Sequence, residues 1–166
     1  MPFGVDNLVS RPAIPDDSTA LTQISFRSKR YWNYPEEYFD RWQEELTIVP
    51  DYIRKNTVVV WIQEQTPVAF YSLVHRETEV EFEGCIIPAG LWLDHMFIAP
   101  KQIGRGLGSR MFRTLVETEL DQSGGILMMF ADPNAVGFYL KMGCDRIADF
   151  PSSIPGRTTP MLRFAV

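Results

Sequence analysis

Apolar positions recur along this chain with two different periods, and the changes of period mark its elements. Residues 8–13 read as a short strand ended by Pro15-Asp16-Asp17, where Asp16 or Asp17 can cap a following helix. Leu21, Ile24 and Phe26 carry that helix on to Tyr31. Pro35-Glu36-Glu37 forms a first helical turn, because proline needs no amide partner there and the acids complement the helix dipole; Tyr38, Phe39, Trp42 and Leu46 continue at helical spacing. From Thr57 the texture turns to β-branched runs, 57–62 and 68–74, separated by the polar turn Glu64-Gln65-Thr66-Pro67, which predicts two antiparallel strands. Residues 77–88 are charged and then apolar, an irregular or hairpin insertion, and a further strand over about 90–98 is closed by Pro100. The second half alternates more regularly. It predicts a helix over about 106–121, a turn at Gly124-Gly125, a buried strand over 126–130, and a helix over about 134–142 that Gly143 stops. A strand near 145–148, a Pro/Ser/Gly loop and a last strand near 161–164 follow. The order predicts one α/β domain over residues 1–166 with a single central sheet.

Composition narrows the class. A chain of 166 residues that is 45% hydrophobic and 22% charged can enclose a real core, which excludes a disordered regulator. The net charge of −5 gives no general attraction to nucleic acid or anionic lipid, so neither is an expected partner. Cys85 and Cys144 are far apart, without metal-ligand spacing or a disulfide framework, and read as free thiols in a reducing cytoplasm. No start of signal-peptide type is present, and no stretch approaches the ~20 apolar residues that span a bilayer. The expected location is the cytoplasm, and the expected assembly is a monomer or a homodimer.

Candidate chemistry begins at Gln102-Ile103-Gly104-Arg105-Gly106-Leu107-Gly108, with Ser109 next, where a strand runs through three alternating glycines into a helix. Glycine lets the backbone turn with positive φ and approach a ligand closely, and the first amides of the helix point forward unpaired, which suits a phosphate. Lys101, Arg105, Arg110 and Arg113 surround the turn in an otherwise acidic chain. The dinucleotide fingerprint needs a different glycine spacing after a first strand, and the P-loop needs a Gly-Lys-Ser/Thr ending; neither is met.

The segment resembles the acyl-CoA signature of the GCN5-related N-acetyltransferase (GNAT) family: Arg or Gln, two residues, Gly, one residue, and Gly or Ala before a long helix. Gly106 and Gly108 match the small positions; Ile103 stands at the Arg/Gln position, with Gln102 one residue before it and Arg105 two after. The cradle therefore rests on the backbone amides of residues 104–109. A second stretch, Asn134-Ala135-Val136-Gly137-Phe138-Tyr139-Leu140-Lys141-Met142-Gly143-Cys144, resembles the same family's later signature. The resemblance covers residues 57–150 well and the N-terminal helices in outline. It implies a mixed, mostly antiparallel central sheet of about six to seven strands flanked by about four helices. It also implies acetyl-CoA as co-substrate with no metal, Asn134 and Lys141 beside the cofactor, and Tyr139 as the general acid that protonates the departing thiolate.

Family members bind the pantetheine arm along the strand before the glycine turn, where a bulge frees backbone amides. Here that implies contacts from Met96, Phe97 and Ile98, with amides near Phe97 stabilising an oxyanion. The polar position that relatives use for a base or for ordering water corresponds to Asp94, with His95 adjacent; the other corresponding position carries Trp92. Neighbours on a strand point to opposite faces, so Asp94 and His95 do not both serve unless the bulge lies between them. A carboxylate of pKa ~3.9 is a poor direct base for an ammonium of ~10 and imidazole at ~6.5 is better matched, which leaves the choice open. His75, on another strand, reads as structural.

The acceptor pocket in this fold draws on the N-terminal helices and on loops near the last strands. Tyr31 and Trp32, with Arg27, Tyr34 and Tyr38, are the candidates from the first region. Arg157, beside Ser152 and Ser153, is the candidate from the second, where it can grip a carboxylate in bidentate fashion. The implied activity is acetyl transfer from acetyl-CoA to a primary amine of a small molecule or peptide in a ternary complex. The alternative is a non-catalytic acyl-CoA sensor or interaction module. Neither cysteine stands beside a candidate base, so no acyl-enzyme is expected.

Overall fold

The β-branched and alternating runs form nine strands in the computed structural model, which describes residues 7–120 and 125–166. They are β1 (Leu8–Pro12), β2 (Thr57–Gln63), β3 (Thr66–Arg76), β4 (Val80–Phe82), β5 (Cys85–Ile87), β6 (Gly90–Ile98), β7 (Ile126–Phe130), β8 (Asp145–Pro151) and β9 (Thr158–Ala165). The insertion over 77–88 is a hairpin, β4–β5, turned by Glu83 and Gly84 at positive φ. The helices are α1 (Ser18–Arg30), α2 (Glu36–Leu46), α3 (Pro50–Lys55), α4 (Leu107–Leu115, continued by a π-helical turn Val116–Leu120) and α5 (Val136–Lys141). Among the described residues five helices thus stand where about four were expected. The extra one, α3, has six residues, too few to show a helical period, and Pro50 opens it. The predicted end of α4 at Asp121 and the Gly124 half of the following turn lie outside the described residues.

Seven strands form one sheet in the order β1-β2-β3-β6-β7-β9-β8, and β4-β5 is a separate ribbon. β1 is antiparallel to β2, and β9 to both β7 and β8. β6 and β7 are parallel, and the connection between them contains α4, as a parallel pair requires. The fold class is therefore the mixed, mostly antiparallel one expected.

The chain packs as two compact units: the described residues up to Ser72 with His95–Arg110, and Leu73–Asp94 with the residues from Met111 onward. In the first, Leu21 and Ile24 of α1 meet Ile48, Ile53, Val58, Val60 and Phe70 in a dry cluster. Asp17 pins the start of α1: its carboxylate accepts from both terminal nitrogens of Arg11 (2.8 and 3.0 Å) and from the Ile14 amide (2.8 Å). In the second, Trp92, Met128, Phe150 and Met161 form the core, with Val74, Cys85, Ile87, Phe130 and Ala148 partly buried against them.

Candidate active site

β6 is irregular where the candidate residues lie. Its ladder with β7 stops at Leu93↔Met129, although the strand runs on to Ile98. Alternation puts Phe70, Ser72, Val74 and Arg76 of β3 on one face. Arg76 lies over the Trp92 ring, while His95 meets Ser72 and Phe70. Trp92 and His95 are three residues apart, so a regular strand would turn them to opposite faces. Asp94 is exposed at this irregularity and His95 is half-buried.

His95 is the centre of a hydrogen-bonded chain. Its Nε2 lies 2.8 Å from the Glu45 carbonyl oxygen, which can only accept, so Nε2 carries the hydrogen. In the tautomer with its hydrogen on Nε2, the ring presents Nδ1 as acceptor, and Ser72 Oγ donates to it at 2.7 Å. Tyr52 donates its hydroxyl to Ser72 Oγ at 2.8 Å and lies 3.3 Å from Nδ1. Ser72 is fully buried. Sequence reasoning placed His95 here but missed Ser72 and Tyr52, which carry no motif.

The glycine turn has the backbone its sequence demands. Gly104 and Gly106 sit at φ +80 and +82, and nothing lies within 4 Å of a Cβ added at either, so the requirement is conformational. The first ladder bond of the turn runs from the Arg110 amide to the Gly106 carbonyl at 3.2 Å. Among the described residues the amides of Gly104–Ser109 have no protein acceptor, so the donor set fits a pyrophosphate. The Ile103 amide is spent on the Pro100 carbonyl at 3.2 Å. The Gln102 side chain donates to Gln63 at 2.6 Å, and Arg110 stacks over Trp61 at 5.3 Å. Lys101 and Arg105 stay exposed.

In the second unit, α5 presents the later motif. The Asp132 side chain accepts from the Asn134 amide at 2.8 Å, so Asn134 falls in a 3-10 turn, Pro133–Ala135, before the α-helix and not inside it. Gly143, at φ +100, ends the helix, and the Cys144 amide bonds back to the Tyr139 carbonyl at 3.0 Å. The Tyr139 ring is buried against Phe112 and Phe138 (6.1 and 5.1 Å). Among the described residues its hydroxyl has no hydrogen-bond partner. Burial, then the Cys144 and Asp132 charges, push the phenol well above the usual tyrosine range. Burial first, and Asp145 second, push the Cys144 thiol up to about 11, which makes it a poor nucleophile. Lys141 is exposed.

The acceptor candidates are dispersed. Tyr31 and Trp32 pair edge to face at 5.0 Å and are exposed after α1. Arg157 closes a loop in which its carbonyl accepts from the Ser152 amide at 2.9 Å.

The family model for the acetyltransferase (GNAT) domain matches residues 54–143. A search of curated proteins finds no match. Among solved structures the chain is similar to a GCN5-related N-acetyltransferase from Rhodopseudomonas palustris, at 18% identity over 95% of each chain and a TM-score of 0.73. It is similar also to the PaiA N-acetyltransferase of Thermoplasma acidophilum in complex with coenzyme A, at 16% identity over 96% of this chain and 99% of that one, TM-score 0.72. A third is the ribosomal-protein-S18-alanine N-acetyltransferase of Escherichia coli, at 14% identity over 95% and 93%, TM-score 0.64. The structural likenesses show the fold; the matched span, which contains the glycine turn and the Asn134-to-Gly143 helix, places the chain in the GNAT acetyltransferase family as an acetyl-CoA-dependent N-acetyltransferase.

Proposed function

We propose that the enzyme acetylates a primary amine of a small molecule or peptide by direct transfer in a ternary complex. Acetyl-CoA supplies an acyl group on a thiol leaving group. The backbone amides of Gly104–Ser109 hold its pyrophosphate, and the amides of Met96, Phe97 and Ile98, past the end of the β6–β7 ladder, hold the pantetheine arm and the thioester carbonyl. Asn134 and Lys141 complete the cofactor contacts; Tyr31 and Trp32 contribute to the acceptor side.

Tyr139 carries the reading. A buried phenol that keeps its proton and lacks a protein acceptor suits a residue that gives a hydrogen bond to the departing sulfur as charge develops on it; the raised phenol works against full transfer of the proton, so this hydrogen bond is the larger part of its general-acid role. For the proton of the acceptor we favour His95 over Asp94. As Tyr52 passes its hydroxyl proton to Ser72, Ser72 passes its own to Nδ1 of His95, and Tyr52 takes a replacement from the substrate ammonium. Asp94 then holds the ammonium or orders water. The test is thiol release from acetyl-CoA over a panel of amines, with coenzyme A affinity measured by calorimetry. Thiol release without an N-acetylated product, or no coenzyme A binding, would remove the proposal.

A further inference from the structure

Arg76, at the end of β3 in the second unit, takes no part in the chemistry above. Its guanidinium carbon lies 5.1 Å from the centroid of the Trp92 ring. Its Nε is shut off from solvent and has no hydrogen-bond partner. Arg11, Arg30, Arg54, Arg146 and Arg163 each pair with a carboxylate. Among the described residues Arg76 pairs with none, although Glu77, Glu79, Glu81 and Glu83 follow it in the chain, all exposed. A guanidinium is charged at every working pH, and a buried donor of a charged group left without an acceptor is costly. The platform beneath it is rigid. Trp92 is buried and donates its indole nitrogen to the Pro88 carbonyl at 2.9 Å, Phe130 packs on it at 5.0 Å, and Phe150 on Phe130 at 5.2 Å. A guanidinium seated on an aromatic ring, with its in-plane donors unspent, is suited to a planar bidentate anion. Two residues beyond Trp92 on the same strand stands Asp94, an exposed carboxylate. The same compact unit thus carries a charge of each sign, and recognition of a molecule with both an amine and a carboxylate needs both.

We propose that Arg76, seated on Trp92, binds a carboxylate of the acceptor, so that the substrates are amino acids or short peptides with a free carboxylate and not simple amines. The inference rests on the acetyltransferase reading above and narrows its substrate class. It gives Arg76 the part that sequence reasoning assigned to Arg157.

The experiment compares amino acids and dipeptides with their carboxamides, which keep the amine and lose the charge, in wild type, Arg76→Met, Arg76→Lys and Arg157→Ala. In wild type kcat/KM should favour the carboxylates by at least about tenfold. Arg76→Met should bring that ratio to about one and Arg76→Lys to an intermediate value, while Arg157→Ala keeps it. Acetyl-CoA affinity should be unchanged by Arg76→Met. Binding of an N-acetyl amino acid, followed by calorimetry, needs no turnover and should be lost in Arg76→Met. Since the substitution removes a stranded donor, its melting temperature should equal or exceed that of wild type. A ratio near one in wild type, an equal loss on both substrate series in Arg76→Met, weakened acetyl-CoA binding, or a ratio lost only in Arg157→Ala would each overturn the inference. Absence of thiol release with every amine would instead sink the acetyltransferase reading, and the calorimetric arm would still decide whether Arg76 binds the carboxylate.

Discussion

Replacing Tyr139 by Phe separates catalysis from stability. The ring contacts with Phe112 and Phe138 survive the change, and the oxygen removed has no protein partner among the described residues. No hydrogen bond is lost, so the melting temperature should move by no more than about 2 °C, the equivalent of about half a kcal/mol to one for a chain of this size. Catalysis should respond very differently. A positioned general acid contributes about 10²- to 10⁴-fold, or about 3 to 5 kcal/mol of barrier, so kcat should fall at least about a hundredfold with coenzyme A affinity unchanged. The pH dependence follows from the raised phenol. A folded-state pKa above the unfolded value of about 10 means that the phenol's contribution to stability is complete below that value and is lost as pH rises through the folded one. Cys144, raised to about 11, adds a loss of the same sign that begins near the unfolded thiol value of about 8.5. Denaturant titrations at rising pH should therefore show wild type losing more stability than Tyr139→Phe above about pH 10. Equal alkaline loss in the two proteins would refute the burial argument. A kcat within about threefold of wild type would refute the general-acid role.

Other perturbations test other parts. Asp17→Ala should cost about 1–3 kcal/mol, read as a fall in melting temperature, because it strands the Ile14 amide and the Arg11 fork; Arg11 is partly exposed, which keeps the value toward the low end. The Arg11 hydrogen bond holds the Asp17 carboxyl below its usual range, so its stabilisation is present above about pH 4 and is lost as pH falls through the folded value; the variant should lack that acid limb in a pH-dependent melt. Gly106→Ala forces a side chain into positive φ at a cost of about 1 kcal/mol and should weaken coenzyme A binding in calorimetry by more than the small change in melting temperature explains. Ser72→Ala breaks the link between Tyr52 and His95 and should lower kcat by about tenfold or more without altering acetyl-CoA affinity, whereas Ser72→Thr, which restores a hydroxyl, should recover part of the rate.

Local features were the legible ones. The glycine turn and the Tyr139 helix are each contiguous in the chain, so their glycines, aromatics and caps stand at fixed offsets and the turn geometry follows from them. Errors arose where one element competed with another at short range. Asp132 captures the Asn134 amide and delays α5, and α3 is too short for its period to register. The partners of His95 were not legible: Ser72, Tyr52 and Glu45 lie 23, 43 and 50 residues away, and nothing in the local pattern of a serine, a tyrosine or a backbone carbonyl announces that they converge on one imidazole. Arg76 was equally hidden, because four glutamates follow it closely and only the folded chain leaves it without one of them.

The end of the β6–β7 ladder at Leu93 falls where spacing alone leaves the choice of base open. Period-two reasoning sets Asp94 and His95 on opposite faces and Trp92 with Asp94, which makes Asp94 the natural neighbour of whatever Trp92 touches. In the structure the imidazole meets Ser72 and Phe70 of β3, contacts that spacing along β6 does not announce. The ladder with β7 ends at Leu93, and the strand runs on to Ile98. Deleting Asp94 shifts His95 by one place and turns its ring away from Ser72, because side chains on a strand alternate between faces, so kcat should lose any further response to Ser72→Ala. The same shift moves the amides of Met96, Phe97 and Ile98 and should weaken coenzyme A binding, read by calorimetry. If coenzyme A affinity survived the deletion, those amides would not be the ones that hold the cofactor.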